Sequence, residues 1–254
     1  MSAANPYLDV ESAAATRQSR HALRPPRRWL RYLEPRAAIE TLALVPTSPL
    51  WATRQRGDGR QVLVIPGFMT DDGSTWPLRR YLNFLGYDAL PWELGRNKGV
   101  PDKDAERLAA RLDDVRRQDE KITLIGWSLG GVVARETARL RPDAVREVIT
   151  MGTPVEGGPK YTIAAQHYAE QRGEDLEAFE QYVHSVNSKG ITQPLTVIYS
   201  ESDGIVGWRA ALDRYNPQAK HVRVHGSHLG LGTNPQVWLT IEKTLRLSAD
   251  TANA

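Results

Sequence analysis

The stretch ITLIGWSLGG, at residues 122–131, decides the fold of this chain. Its first half is apolar, as in a buried strand, and the residues from Leu129 onward repeat at helical spacing. Gly126, Ser128 and Gly130 form the G-x-S-x-G pattern, in which a serine stands on a tight turn between a strand and a helix. Glycines are needed there because a β-carbon would collide with neighbouring backbone. Motif and context together predict that Ser128 is a nucleophile.

Short apolar runs alternate with longer polar-faced segments on both sides of this turn. The predicted strands are residues 62–65, 87–90, 122–125, 148–151, 195–199 and 222–224. The predicted helices are residues 75–85, 101–118, 129–140 and 235–247. Strands that alternate with helices are typical of a parallel sheet whose crossovers are helical. The predicted fold class is α/β, with a mostly parallel sheet of about six strands flanked by helices.

The segment between the fourth and fifth predicted strands is longer than a crossover requires. A parallel crossover needs only about a dozen residues, so the surplus predicts a small helical cap insertion at about residues 155–192. Leu176, Phe179, Val183 and Val186 recur there at helical spacing. We expect this stripe to form the core of the cap; the alternative is that some of its apolar residues line the substrate site.

A nucleophilic serine needs a histidine as base and a carboxylate that orients the histidine. On a sheet of this kind the carboxylate follows the serine in the chain and the histidine comes last. Asp203 lies in the loop directly after the predicted strand 195–199, which favours it as the acid. Glu201 in the same loop is the rival, and Asp213 lies farther along, in a predicted helix.

Two histidines follow the last predicted strand. His228 lies beyond a flexible Gly-Ser turn, from which a loop can reach the serine, whereas His225 still belongs to the strand end. We therefore predict that His228 is the base. Together with His221 these histidines straddle a strand and a glycine turn and do not share one helix face, so they predict no metal site.

Hydrolysis also requires hydrogen-bond donors for the oxyanion of the tetrahedral intermediate. The predicted donors are the backbone N–H groups of Leu129, directly after the nucleophile, and of Phe68, in the loop after the first strand. Met69 is the less favoured donor in that loop. The candidate side chains for binding substrate are apolar or aromatic residues near the serine: Trp127, Met69 and Trp76.

Composition excludes several classes of function. The chain has no cysteine, which excludes disulfides, thiolate catalysis and iron–sulfur clusters. No glycine-rich phosphate-binding motif is present, so no nucleotide cofactor is predicted, and aromatic residues are not interleaved with basic stripes, which disfavours nucleic-acid binding. With no long apolar segment and no signal-like N-terminus, we expect a cytoplasmic protein without cofactor or transmembrane segment.

Residues 1–58 are predicted to be an N-terminal extension packed on or flanking the main domain, residues 59–254. Residues 1–36 hold seven arginines against three acids, an excess of positive charge. Such a basic arm is more often a solvated terminus, although peripheral contact with a membrane surface stays open. We expect no chemistry from this extension.

Five stretches carry a resemblance to a known family: VLVIPGF, GWSLGG, MGTPVEGGP, SDGIV and GSHLGL. They resemble lipases and esterases of the α/β-hydrolase superfamily, particularly small bacterial triacylglycerol lipase-like proteins, over about residues 61–246. The resemblance implies the α/β-hydrolase fold and ester hydrolysis by Ser128, Asp203 and His228. GWSLGG is also similar to pimeloyl-acyl-carrier methyl esterases, so the substrate class stays open. Many relatives carry His-Gly where this chain has Pro66-Gly67, which leaves the second oxyanion donor less secure.

The predicted activity is cleavage of a small-molecule or lipid ester through an acyl-enzyme on Ser128. Two alternatives are an acyltransferase that uses the same triad and a non-catalytic binding protein with this fold. The sequence does not predict the acyl chain length, the mobility of the cap or the oligomeric state.

Overall fold

The computed structural model describes residues 23–44, 51, 53–54, 56–118, 120–173 and 175–250. Arg17 and Arg20, which belong to the predicted basic arm, lie outside the described residues. Within the described part of the chain, no helix is both long and apolar enough to cross a membrane.

Six parallel strands form one sheet in the order β2-β1-β3-β4-β5-β6. The strands are β1 (Gln61–Ile65), β2 (Asp88–Pro91), β3 (Ile122–Trp127), β4 (Val145–Met151), β5 (Leu195–Ser200) and β6 (Lys220–Val224). The prediction of a mostly parallel sheet of about six strands is confirmed. Because all strands are parallel, the loops after them meet at one edge of the sheet, where ligands bind in open α/β sheets.

Helices cover both faces of the sheet. In chain order they are α1 (Arg28–Arg31), α2 (Ala37–Leu42), α3 (Asp72–Leu85), α4 (Pro101–Val115), α5 (Leu129–Leu140), α6 (Ala165–Arg172), α7 (Leu176–Asn187) and α8 (Pro235–Asp250). Val62 and Val64 of β1 pack in a core cluster with α3 and α8, whereas Leu63 and Ile65 pack with α4 and α5. Both faces of β1 are therefore buried, which explains its unbroken apolar sequence.

Helix α8 ends at Asp250, three residues after the predicted end at Leu247. Two other predicted helix boundaries were wrong for local reasons. Helix α3 begins three residues before the predicted start at Thr75, because the side chain of Asp71 accepts a hydrogen bond from the backbone N–H of Gly73 and caps the helix. Helix α4 ends at Val115, before the predicted end at Gln118, because Arg116 is extended with ψ 138°. Neither change moves a candidate site residue.

The predicted cap insertion is present between β4 and β5. It contains a short 3-10 helix (Gly158–Tyr161) followed by α6 and α7. Phe179 on α7 is buried, while Val183 and Val186 are half-buried. These three residues of the predicted stripe line a cavity that also reaches Ser128. The stripe is thus shared between the cap core and the wall of this cavity.

The described part of the N-terminal extension, residues 23–44, lies against the loops after β5 and β6. It contains α1, a short 3-10 helix (Glu34–Arg36) and α2. Leu30 and Glu34 face the protein and are buried, whereas Trp29, Tyr32 and Ile39 are exposed. This part of the extension therefore covers the carboxyl edge of the sheet near its β5 and β6 side.

Candidate active site

Ser128 occupies a strained turn between β3 and α5. Its backbone has φ 54° and ψ −124°, a conformation that non-glycine residues rarely adopt. A β-carbon on Gly126 would collide with the backbone of Gly131, and one on Gly130 would lie 2.6 Å from the carbonyl oxygen of Pro66. Both glycines are therefore required by close approach of the backbone, and strain of this kind is typical of functional sites.

Asp203 and His228 meet as a buried pair, although 25 residues separate them in the sequence. The Nδ1 atom of His228 lies 2.6 Å from Oδ2 of Asp203. The other oxygen of Asp203 accepts hydrogen bonds from the backbone N–H groups of Ile205 and Val206. With Nδ1–H donating to the carboxylate, Nε2 is the nitrogen left to act as a base.

Several contacts place the His228 ring above the ends of β3 and β4. The Nε1–H of Trp127 donates to the carbonyl oxygen of His228 at 3.3 Å. A β-carbon on Gly152 would lie 3.0 Å from Nδ1 of His228. Gly152 follows Met151, whose carbonyl oxygen accepts the backbone N–H of Ser128 at 2.8 Å. The histidine therefore lies beside the end of β3, which carries the elbow, and the end of the neighbouring strand β4.

Electrostatics favour the protonated form of His228. Burial is the largest single influence and lowers the pKa of the imidazole, whereas the charge and the hydrogen bond of the Asp203 carboxylate raise it. The charge of Glu34 acts in the same direction, and the pKa of His228 is raised above its ordinary value. This environment stabilises the imidazolium that forms when His228 takes up a proton.

The rival acids have other partners. Glu201 is exposed and forms an ion pair with Arg223 at 3.3 Å. Asp213 is buried in an ion pair with Arg135 and lies in a loop, so its predicted placement in a helix was wrong. His225 is exposed at the end of β6. Asp203 and His228 are the candidates that the fold brings together.

The two predicted oxyanion donors lie on either side of the elbow. Leu129 is the first residue of α5, and the first N–H groups of a helix have no acceptor within it. Among the described residues, the Phe68 N–H forms no hydrogen bond, whereas the Met69 N–H donates to the carbonyl oxygen of Asn97 at 2.7 Å. Met69 is thus occupied elsewhere, and a role for Phe68 and Leu129 as donors stays a prediction.

A cavity of about 130 Å³ opens beside Ser128. Its wall is formed mainly by apolar side chains of the insertion, of helix α5 and of the loops after β1 and β5. Prominent among them are Phe68, Val132, Tyr168, Phe179, Val183, Val186 and Ile205. The cavity has room for an apolar group next to the serine hydroxyl.

The three side chains predicted to bind substrate lie outside the wall of this cavity. Trp127 is buried in the core and contacts the His228 ring, with 6.4 Å between ring centroids. Met69 and Trp76 are about half exposed, and Trp76 stacks with Arg80. A role for these residues in binding substrate stays a prediction, and the cavity offers a different set of contacts.

Sequence reasoning missed Glu34. Its Oε1 accepts hydrogen bonds from the backbone N–H groups of Gly204 at 2.8 Å and His228 at 3.0 Å, and its Oε2 accepts one from Leu229 at 2.8 Å. The extension, from which we expected no chemistry, therefore contacts the backbone of a candidate catalytic residue. A signal was present, since Glu34 is an isolated acid among arginines, but no local pattern indicates its partners.

A model of the alpha/beta hydrolase family matches residues 62–251 of this chain. The chain belongs to the alpha/beta hydrolase family. The match begins within β1 and ends after α8, so it includes Ser128, Asp203 and His228 but not Glu34.

Similar proteins include esterases and lipases. A pimeloyl-[acyl-carrier protein] methyl ester esterase from Pseudoalteromonas atlantica is 30% identical over 59% of this chain. The chain spans 57% of the length of that curated relative. The solved structure of mouse alpha/beta hydrolase domain-containing protein 10 superposes with a TM-score of 0.54 at 16% identity, over 78% of this chain and 92% of that one. A Bacillus licheniformis lipase superposes with a TM-score of 0.54 at 15% identity, over 76% and 94%. At such identities the solved structures establish the fold alone.

Proposed function

We propose that this protein is a serine hydrolase that cleaves carboxylic esters through an acyl-enzyme on Ser128. The observation that carries the proposal is the buried hydrogen bond of 2.6 Å between His228 and Asp203, at the sheet edge where Ser128 stands. A buried carboxylate paired with an imidazole is the arrangement that activates a serine hydroxyl. The strained elbow supports the same assignment, because it exposes the hydroxyl above the sheet.

In the proposed reaction, Nε2 of His228 takes the proton of the Ser128 hydroxyl while Oγ attacks the ester carbonyl carbon. The oxyanion of the tetrahedral intermediate accepts hydrogen bonds from the N–H groups of Phe68 and Leu129. The alcohol leaves with the proton from the imidazolium. Water then attacks the acyl-enzyme by the same steps, and the carboxylic acid is released.

The cavity supports an ester with an apolar acyl or alkyl group as substrate. Its wall is largely apolar, and burial of apolar surface contributes about 25 cal/mol per Å². The relative from Pseudoalteromonas is named as a methyl ester esterase, which supports the ester class. A small-molecule ester and a lipid ester both fit this description.

Fluorophosphonate labelling and product analysis test the proposal. A fluorophosphonate reacts only with an activated serine, so we expect one covalent adduct on the native protein and none after denaturation. A panel of p-nitrophenyl esters should then be hydrolysed to free acids. A folded protein that neither labels nor hydrolyses any ester would indicate a binding protein. Acyl transfer to an added alcohol or thiol in preference to water would indicate an acyltransferase.

The pH dependence of kcat/KM should reflect the raised pKa of His228. The base must be neutral in the free enzyme, so activity falls as pH falls through this pKa. Because the pKa is raised, the loss should begin at a higher pH than for an ordinary histidine. A rate profile measured with p-nitrophenyl butyrate checks this, with circular dichroism at each pH as the control for folding. A midpoint below the ordinary histidine value would contradict the assignment.

Filling the cavity should change the preference for acyl length. Val186 lines the cavity, so Val186→Phe should lower kcat/KM for octanoate esters by about 10-fold or more, because a pocket discriminates by roughly 1–3 kcal/mol per methylene. The acetate ester should be hardly affected. Ser185→Phe is the matched control, since Ser185 is exposed on the same helix and lies outside the cavity wall. Equal losses for acetate and octanoate would show that the acyl group binds elsewhere.

A further inference from the structure

The carboxylate of Glu34 joins two loops that carry candidate catalytic groups. Residues 201–206 form the aspartate loop, and residues 225–230 form the histidine loop. One oxygen of Glu34 accepts N–H groups from both loops, at Gly204 and His228, and the other accepts the N–H of Leu229. The side chain is only 5% exposed, so water does not compete freely for these donors.

Hydrogen bonds from backbone N–H groups to a buried carboxylate are charge-assisted and stronger than neutral ones. Removing the carboxylate leaves the buried N–H groups of Gly204 and His228 and the part-buried N–H of Leu229 without this acceptor, and unpaired buried donors are costly. Two of these donors, on His228 and Leu229, belong to the residue that carries the base and to its neighbour. The position of the imidazole therefore depends on a group from the N-terminal extension.

Each of the two loops has a glycine where the extension approaches it closely. A β-carbon on Gly204 would lie 2.6 Å from the carbonyl group of Leu30, and one on Gly230 would collide with the carboxylate of Glu40. Neither glycine has a positive φ, so the requirement is close approach of the extension and not backbone conformation. This is independent evidence that the extension docks closely against both loops.

Neighbouring side chains of the extension strengthen the same contact. Glu40 accepts hydrogen bonds from the backbone N–H of Ser227 at 3.0 Å and from its hydroxyl at 2.7 Å. Arg36 donates to the carbonyl oxygen of Ser202 at 3.0 Å and forms an ion pair with Glu40. Each loop therefore has a second contact with the extension, in addition to the one that Glu34 makes.

We infer that Glu34 is a positioning residue for His228, which ties the histidine loop to the aspartate loop and places a negative charge beside the base. This inference rests on the proposed triad, because it assigns His228 the role of base. Glu34 lies outside the wall of the cavity, so its effect is on the chemical step and not on binding of the ester.

The charges around the imidazole come from the aspartate loop and the extension. Burial lowers the pKa of His228, whereas Asp203 and Glu34 raise it, and their combined effect is larger than that of burial. Glu40 is hydrogen-bonded to Ser227, the residue before His228, and Arg36 is hydrogen-bonded to Ser202, the residue before Asp203. Neutralising Glu34 should therefore favour the neutral imidazole and move its titration to lower pH.

The decisive variant is Glu34→Gln, which retains the size of the side chain and removes its charge. We expect the midpoint of the His228 titration, followed by NMR of the imidazole nitrogens, to move to lower pH. The acid limb of the kcat/KM profile should move with it. Because the NMR measurement needs no substrate, it tests the inference even if the protein has no esterase activity.

Glu34→Ala and Glu34→Asp test whether Glu34 holds the aspartate loop and the histidine loop in position. Glu34→Ala should lower kcat by about 10- to 100-fold with KM nearly unchanged, since a small displacement of a catalytic group costs roughly this much. Glu34→Asp retains the charge and should recover part of the rate. Glu201→Gln is the matched control, because Glu201 lies in the aspartate loop but is exposed and paired with Arg223.

The outcomes separate the two proposals. A wild-type protein that neither labels nor hydrolyses overturns the proposed function, whereas an active wild type with an unchanged titration in Glu34→Gln overturns only the role of Glu34. A loss in Glu34→Ala that appears equally in KM, or that tracks a loss of folded protein, also contradicts positioning. If Glu34→Ala does not fold, Glu34→Gln and Glu34→Asp still decide the question.

Discussion

Ser128→Ala should lower kcat for p-nitrophenyl butyrate by about 10⁴-fold or more and abolish labelling by a fluorophosphonate. The alanine has no oxygen to attack the ester, and removal of a serine nucleophile commonly costs this much or more. The residual rate should come from the oxyanion donors and the cavity, which the variant retains. Steady-state kinetics and mass spectrometry of the labelled protein measure both effects.

The Ser128 variant should remain folded. Alanine removes only the hydroxyl, and the tight turn around this position, with its close backbone contacts at Gly126 and Gly130, is unchanged. Ser185→Ala is the matched control, since Ser185 is an exposed serine on α7. It should retain full activity and labelling. Undiminished hydrolysis by a folded Ser128→Ala protein would eliminate the acyl-enzyme mechanism.

Asp203→Asn should lower kcat by roughly 10⁴-fold while KM changes little, as expected when the partner of a catalytic histidine is made neutral. An amide at this position donates to Nδ1 of His228 and reverses the tautomer, so that Nε2 carries the proton and no longer accepts one. The neutral amide also provides no charge to stabilise the imidazolium. Kinetics with an activated ester at saturating concentration measure the loss in kcat.

Glu201→Gln separates the role of Asp203 from a general effect of charge in the aspartate loop. Glu201 is exposed and bonded to Arg223, so its neutralisation should leave kcat within about twofold of the wild type. Comparable losses of kcat in Asp203→Asn and Glu201→Gln would indicate a general effect of charge in the aspartate loop and not a specific role of the buried Asp203 carboxylate. A normal rate in Asp203→Asn would remove that residue from the mechanism.

Local patterns were sufficient to predict the strands, the elbow and the order of the candidate catalytic residues. Strands such as β1 and β3 are buried on both faces and are almost entirely apolar, apart from Gln61 and Thr123, which leaves little ambiguity. The elbow at Ser128 was predictable because its glycine pattern stands directly between an apolar run and a helical pattern, although the close contact of Gly130 is with Pro66, far away in the sequence. Asp203 and His228 were predictable because parallel strands end at the same edge.

The wall of the cavity was only partly predictable. The helical stripe on α7 indicated an apolar face, but whether that face packs inward or lines an opening depends on how the insertion rests above the sheet. Met69 and Trp76 follow the first strand, at the same edge of the sheet as the elbow, yet both are about half exposed. Apolar character alone does not distinguish these environments.

The amino-acid sequence by itself determined the sheet, the strained turn at Ser128 and the candidate acid and base, because each depends on short-range periodicity or on the order of strand ends. Only the tertiary structure decided that Glu34 meets the backbone of His228, since 194 residues separate them and a carboxylate that accepts backbone N–H groups imposes no pattern on its partners. Backbone N–H donors are present at every residue except proline, so the side chains of the contacted residues do not indicate this contact in the sequence.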